Sequence, residues 1–553
     1  MKLRFTVIAA ALACCLSCVD ANNQLGGSLI PVDQMYSIYC ETIPLNSVRM
    51  QMADSLSGFS NNRITVGAVK DDVYGLSTRA CALTLVPLQD TIDFGENPVV
   101  QNFHFASAVD TTSVCDPAQA HILQNLNVYE LLEPIDASKN FDCNAELKHS
   151  DNIISKGTPV VNGRDSLSFN FTKEFANKFL SITQDDLGDI EKYLKKVPGI
   201  YIDADEPTGK GGRINMFQLQ LGYDTQYRTL TGNMAKLTIR TKYKDWKERK
   251  DTSFYFYYSP LEIYDLDSLL NNTSKGKLPQ YALNLTSHQS RELAGESTDK
   301  VYIEGGGGLK PVITAREIKD LAADIISQKG GDPKSVVINK ATLILPFEFP
   351  ENYEDMDRFP YMLSPTCRIK NDTTATFMGL TDASSSDENK GDIDRSNLQF
   401  APDITYHMQE ILKMDDEKID SGNYDIWFLI MANEIVATES NQSQNDMSEY
   451  YQYLAYQNYY NSMYGGYGGY GGYGYGGYGG YGGYGGYGGY GNYYSNYYSY
   501  MMMAAYASGN SGSTTTTETQ LDKDRYYFGS LNGPAAERAP QLRITFSVPN
   551  TAK

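Results

Sequence analysis

Between residues 450 and 517 the chain carries no charged residue, and from 464 to 490 it is essentially a Tyr-Gly-Gly repeat. Such a stretch lacks the aliphatic side chains that build a core, and its glycine content makes ordering entropically expensive, so a disordered loop is expected there. Its position constrains the fold. Apolar β-rich runs lie on both sides, at 426–431 and again at 542–548, so the loop interrupts a domain that closes around it. Because closure entropy grows only logarithmically with loop length, a long insertion is tolerable at this point.

The rest of the chain reads as short strands. Residues 63–69 and 81–88 are β-rich runs joined by a turn at 71–75, and 166–171 alternates Leu167, Phe169 and Phe171 with Ser168 and Asn170, the period of a half-buried strand. Further strands are expected at 102–106, 122–131, 214–221, 236–243 and 253–258, and the run 336–346 is the strongest of all. Helical spacing occurs twice. Leu187, Ile190 and Leu194 place a helix over 185–197, and Thr314 with Glu317 forms a capping-box pattern ahead of the stripe Ile318, Leu321, Ala322, Ile325 and Ile326. At 553 residues one core is too few. The expected architecture is mainly β: a first sandwich over 36–260, a connector over 261–300, and a second sandwich over 301–553 interrupted by the low-complexity loop at 439–522. The runs 82–87 and 341–346 match in length and in their alanine-to-proline frame, as 235–239 and 540–544 match in alternation, so two similar sandwiches are expected.

The N-terminus has the layout of an export signal: Lys2 and Arg4, then an apolar run over 5–16. That run falls short of the roughly 20 residues of a spanning helix. It ends in Leu16-Ser17-Cys18, which resembles a lipoprotein signal, with cleavage after residue 17, acylation of Cys18 and a tether over 18–35. Cys15 is the alternative acceptor, because Leu12 stands three places before it. A signal cleaved without acylation and an uncleaved anchor are the other readings of the same segment. Of the eight cysteines, five lie in the body, Cys40, Cys81, Cys115, Cys143 and Cys367. An odd number leaves at least one thiol unpaired within the chain; disulfides among the first four and buried free thiols are both open.

A net charge of −20 argues against nucleic acid, whose binding needs a basic face. The five histidines, His104, His121, His149, His288 and His407, show no zinc-hydrolase spacing, no Gly-x-Ser-x-Gly occurs, and the basic turn 209–213 lacks the phosphate-loop spacing. Asp387, Asn389, Asp392 and Asp394 bring alternate oxygens into a glycine-containing loop that could surround Ca²⁺, or that is simply solvated, with Lys390 opposing a cation. Asp203 and Asp205 form a weaker acidic pair. Tyr464, Tyr467, Tyr470, Tyr478 and Tyr481 are candidate stacking residues for sugars, with self-association and a tolerated repeat expansion as the other readings.

The Cys18 signal, residues 26–31 (Gly-Gly-Ser-Leu-Ile-Pro), residues 66–80 around Lys70-Asp71-Asp72-Val73-Tyr74-Gly75, and residues 124–131 resemble the Bacteroidota lipoproteins grouped as domain of unknown function 4270. The resemblance spans nearly all of the chain after the signal except 450–517. It implies an outer-membrane lipoprotein of unassigned activity and offers no catalytic residues. The strand order near 340–343 and 542 is also similar to jelly-roll modules of bacterial surface proteins. The expected function is therefore non-enzymatic binding of glycans or envelope partners by a lipid-anchored protein; a polysaccharide-acting enzyme is the alternative.

Overall fold

A computed structural model describes residues 36–550 except 61–62, 88–90, 115, 136–140, 220, 225–228, 259–281, 352, 371–374, 385–387 and 440–512. Cys18 with its signal and tether, Cys115, Asp387 and the candidate stacking tyrosines lie outside the described residues. The chain is mainly β, 49% strand against 16% helix, so packing of antiparallel sheets has to build its core. Among the described residues no helix is long and apolar enough to cross a membrane.

The first body packs a nine-stranded sheet on a five-stranded one. In the larger sheet the order runs Val160–Val161, Gln124–Leu131, Ile200–Ala204, Gly75–Leu83, Arg63–Asp71, Gly211–Gln218, Val109–Val114, with Ala282–His288 also on Gly75–Leu83 and His149–Ile153 also on Gln124–Leu131. The smaller sheet runs Leu167–Asn170, Glu96–Ser107, Met234–Lys242, Lys250–Tyr257, Val86–Pro87. Alternation sends Leu126, Val128, Ile200 and Ile202 inward from one sheet to meet Phe105, Leu237, Ile239 and Phe256 from the other. Phe103 anchors an aromatic cluster, its ring 4.7 Å from Phe171, 4.8 Å from Phe179 and 5.6 Å from Phe256. The period-two reading of 166–171 holds: Leu167, Phe169 and Phe171 are buried and Ser168 is exposed.

The helix expected over 185–197 is two helices, Gln184–Leu187 and Ile190–Lys196. Asp189 breaks it by turning its carboxylate onto the amides of Glu191 and Lys192, which caps the second helix and ends the first.

The second body faces a five-stranded sheet (Tyr36–Pro44, Gln541–Pro549, Val337–Pro346, Gln399–Phe400, Ile393–Asp394) with a seven-stranded one (Gly295–Ser297, Val48–Met52, Leu309–Ile313, Ile426–Glu439, Met362–Lys370, Ala375–Gly379, with Ser513–Leu521 also on Ile426–Glu439). The helix Ala315–Gln328 buries Ile318, Ala322 and Ile326 in their shared core. Only half of its capping box forms. Thr314 accepts from the Glu317 amide, but the Glu317 carboxylate turns away to the amides of Asn46 (2.6 Å) and Ser47 (2.9 Å), tying the helix to the N-terminal segment.

Strand pairing redraws the expected boundaries. Tyr36–Pro44 pairs with Gln541–Pro549, and Val48–Met52 pairs with Leu309–Ile313, so the start of the described chain belongs to the second body. Ala282–His288, inside the expected connector, extends the first body's larger sheet. The expected loop 439–522 overlaps paired strand at its far end, where Thr519 and Leu521 face Asn433 and Met431. The physical reason is common to all three: apolar alternation shows that a segment is a strand, while its partner can lie five hundred residues away. Nor are the bodies copies of each other, since their sheets differ in strand number and order.

Candidate functional site

Two polar constellations stand out, one buried and one at the surface. The buried one is the seam between the bodies. Strand Lys300–Glu304 ends in Glu304, four glycines follow, and Leu309–Ile313 begins with Lys310 one residue in. The bare glycines let the backbone close on its neighbours: a Cβ on Gly306, which has φ +59°, would lie 2.7 Å from Arg79 Nη2, and one on Gly307 would lie 2.6 Å from Cys143 Sγ. Lys310 Nζ is thereby wrapped by the carbonyls of Glu304 (2.5 Å), Gly306 (2.9 Å) and Gly308 (3.0 Å).

Around this turn, His288 Nδ1 lies 2.7 Å from Glu304 Oε1, Ser290 donates to Glu304 Oε2, and Arg79 Nη1 reaches Ser77 Oγ (3.0 Å) and His288 Nε2 (3.4 Å). Because a guanidinium only donates, Nε2 accepts and Nδ1 carries the proton given to Glu304. The network continues through residues 522–527, which enter between the bodies. Asp524 accepts from Asn284 (3.1 Å), Lys523 donates to the carbonyls of Ser57 and Phe59, and Arg525 and Tyr527 hold Asp522. Tyr74 closes the far end, donating to the Gly529 carbonyl at 2.6 Å.

A serine, a histidine and a glutamate in contact invite comparison with a hydrolase triad, and the geometry answers it. A triad places acid and nucleophile on opposite ring nitrogens. Here Ser77 Oγ (3.2 Å) and Glu304 share Nδ1, and a guanidinium faces Nε2. Ser77, Arg79, Ser290, Glu304 and Lys310 are all at most 1% exposed. The seam is a lock between two bodies, built of charge.

Burial pulls the Lys310 ammonium down to about 7, with Glu304 pulling it up. Burial also pushes the Glu304 carboxyl up, but His288, Ser290 and Arg79 outweigh it and hold it below its ordinary range. For a lysine whose folded value is lowered, the unfolded chain retains a proton that the folded chain has released between about pH 7 and about pH 10, so stability rises with pH across that window. The urea midpoint should therefore climb from about pH 7 to about pH 9 more steeply in the native chain than in Lys310→Met, the difference approaching at most about 1.4 kcal/mol per pH unit. Parallel slopes in the two proteins would show that Lys310 does not titrate there.

The surface constellation lies on the outward face of the nine-stranded sheet. Inward positions of Gln124–Leu131 and Ile200–Ala204 feed the core, so the alternate residues Asn125, Asn127, Tyr129, Tyr201 and Asp203 face out. Register sets Tyr201 beside Tyr129 and Asp203 beside Asn127. From the neighbouring strand His149 stacks on both phenols, 4.6 Å from Tyr129 and 4.5 Å from Tyr201, with interplanar angles of 28° and 13°. Ile153, 44% exposed, sits opposite Tyr129 and extends the apolar strip.

Beside the rings, Asn127 Nδ2 bridges Asp203 Oδ1 and Asp205 Oδ1, both at 3.1 Å, and Asn125 Nδ2 holds Asp205 Oδ2 at 2.9 Å. Two amides thus fix two carboxylates side by side while leaving them acceptor capacity. Burial pushes the Asp203 carboxyl up, against Asn127 and His149, which lower it. Burial also raises the Tyr129 hydroxyl, helped by Asp203, Asp205 and Asp151. Tyr129, His149, Tyr201, Asn127 and Asp203 are half-buried and Asp205 is exposed, and Tyr201 also packs against the buried cluster of Ala82, Leu131 and Leu283.

The other sequence-derived candidates fall elsewhere. Asn389 Oδ1 accepts from the amides of Gly391 (2.7 Å) and Asp392 (3.2 Å), and the Asp394 carboxylate is taken by Ser396 and Asn397, so these oxygens serve their own loop. Among the described residues no group of three or more His, Cys, Asp or Glu is placed to hold a metal. Cys40, Cys81, Cys143 and Cys367 are free thiols, the last three buried. Sequence reasoning noted Asp203 and Asp205 only as an acidic pair and passed over Tyr129 and Tyr201; their alternation with Asn127 and Asp203 was the available signal. The seam was missed altogether, although four glycines between an acid and a lysine mark a close backbone approach.

No protein family, curated protein or solved structure matches this chain.

Proposed function

We propose that this chain is a lipid-anchored protein of the bacterial outer membrane that binds a glycan, without chemistry, on the outward face of its first body. One observation carries the reading: three near-parallel rings, Tyr129, His149 and Tyr201, beside the braced carboxylates of Asp203 and Asp205. Aromatic rings offer an apolar surface to the C–H face of a sugar, and fixed carboxylates accept from its hydroxyls with the added strength of a charged acceptor. The repeat tyrosines, among them Tyr464 and Tyr470, would add weak contacts whose avidity accumulates.

The anchoring half of the proposal rests on Leu16-Ser17-Cys18 and on the resemblance to envelope lipoproteins. Metabolic labelling with a clickable fatty acid should mark the native protein and fail in Cys18→Ala; retained label would move the anchor to Cys15 or Cys14. More than one acyl chain is needed for durable attachment. For the binding half, incubation with envelope polysaccharides should leave the polymer intact while retaining it on the protein. Release of shorter products would replace binding with hydrolysis.

A further inference from the structure

Strand Tyr36–Pro44 is the end strand of its sheet: Gln541–Pro549 occupies one edge, and among the described residues no strand pairs with the other. A nine-residue edge is a template for another chain, and natural edges are usually blunted by lysine, proline or a bulge. This one is not. Its pairing with Gln541–Pro549 runs without a register shift, and its outward residues Tyr36, Ile38, Cys40 and Thr42 are uncharged. Tyr36 is 58% exposed and Ile38 69% exposed, with Val337, 50% exposed, two strands away in the same row through Ser547. The inward residues Ser37, Tyr39, Glu41 and Ile43 reach only half-burial, so the core beneath the strand is also incomplete on that side.

We propose that two copies of this chain associate by pairing their Tyr36–Pro44 strands antiparallel about Cys40. Cys40 is the middle residue of the strand, so a two-fold axis there sets Ile38 against Thr42 and Cys40 against Cys40 of the second copy, with Tyr36 against Pro44 at the two ends, where the proline gives no N–H. Glu41, the single charged residue of the strand, lies opposite Tyr39, and its charge is already met within its own chain by Lys329 at 2.7 Å, which also sits over the Tyr39 ring. No like charges meet. Self-pairing supplies the missing edge hydrogen bonds and covers Ile38, and it sets two glycan faces on one particle.

The register gives the test. Sedimentation equilibrium of the full chain should show a dimer. Ile38→Glu with Thr42→Glu opposes like charges at two symmetric places and should weaken association roughly tenfold, whereas Ile38→Lys with Thr42→Glu opposes unlike charges and should restore it. Both pairs alter exposed side chains, and circular dichroism with a urea midpoint confirms that each variant folds. A short bismaleimide should join two chains through Cys40, and Cys40→Ser should lose that band while keeping the sedimentation dimer. A monomeric native protein, as results if residues 18–35 of the same chain cover the edge, would overturn the proposal. So would equal association of the two charge variants.

Discussion

Glu304→Gln should lower the stability of the protein by about 3 kcal/mol and split one cooperative urea transition into two. The substitution keeps the size of the side chain, removes the charge, and turns one of the two oxygens that accept from His288 and Ser290 into an NH2 donor. Glu304 is fully buried, and Arg79, Lys310 and His288 are the charges and proton donor it faces there. Arg79 depends on it most: its Nε and Nη2 have no hydrogen-bond acceptor among the described residues, so Coulomb attraction to Glu304 and Asp524 is what compensates its burial. Breaking a buried ion pair by removing one partner typically costs about 3–5 kcal/mol, because the survivor stays desolvated. The split transition follows from position, since the first body contributes Arg79 and His288 and the second contributes Glu304 and Lys310. A midpoint within error of the native protein would mean that apolar contacts alone hold the bodies together.

Loss of the aromatic platform should abolish most glycan affinity while leaving the fold intact. Tyr129→Ala is expected to weaken binding roughly tenfold to a hundredfold, the range for an aromatic anchor at the centre of a site. Asp203→Asn tests the polar half, because it preserves shape and the contact with Asn127 but weakens the charged acceptor; a loss of roughly tenfold is expected. Asp203 is half-buried and paired with a neutral amide, so its replacement should leave the urea midpoint near the native value. Unchanged binding in both variants would remove the outward face from the account.

How much of this was legible in the chain depends on how far each interaction reaches. Strands that alternate, such as Leu167–Asn170, and apolar runs such as those within Val337–Pro346 and Ile426–Glu439 declare themselves within a few residues. So does the helix begun by Thr314. Partnership does not. Nothing in residues 36–44 names 541–549 as their neighbour, and the two bodies were divided wrongly for that reason. The seam is less legible still, because residues 79, 288, 304, 310 and 522–525 each look like an ordinary surface charge until the fold brings them together. The platform lies between these cases: its acids were visible as a pair, but His149, which completes the stack, comes from a strand outside the hairpin reach of either tyrosine.

The central claim is that the outward face around Tyr129, His149 and Tyr201 holds a sugar chain. Calorimetric titration of the full protein with envelope polysaccharide fragments, run beside Tyr129→Ala and a deletion of residues 440–512, tests it most directly. Saturable heat is expected in the native protein, retained at reduced avidity in the deletion and weakened roughly tenfold to a hundredfold in Tyr129→Ala. Full binding by Tyr129→Ala, with loss on deleting 440–512, would contradict it and give the site to the tyrosine repeat.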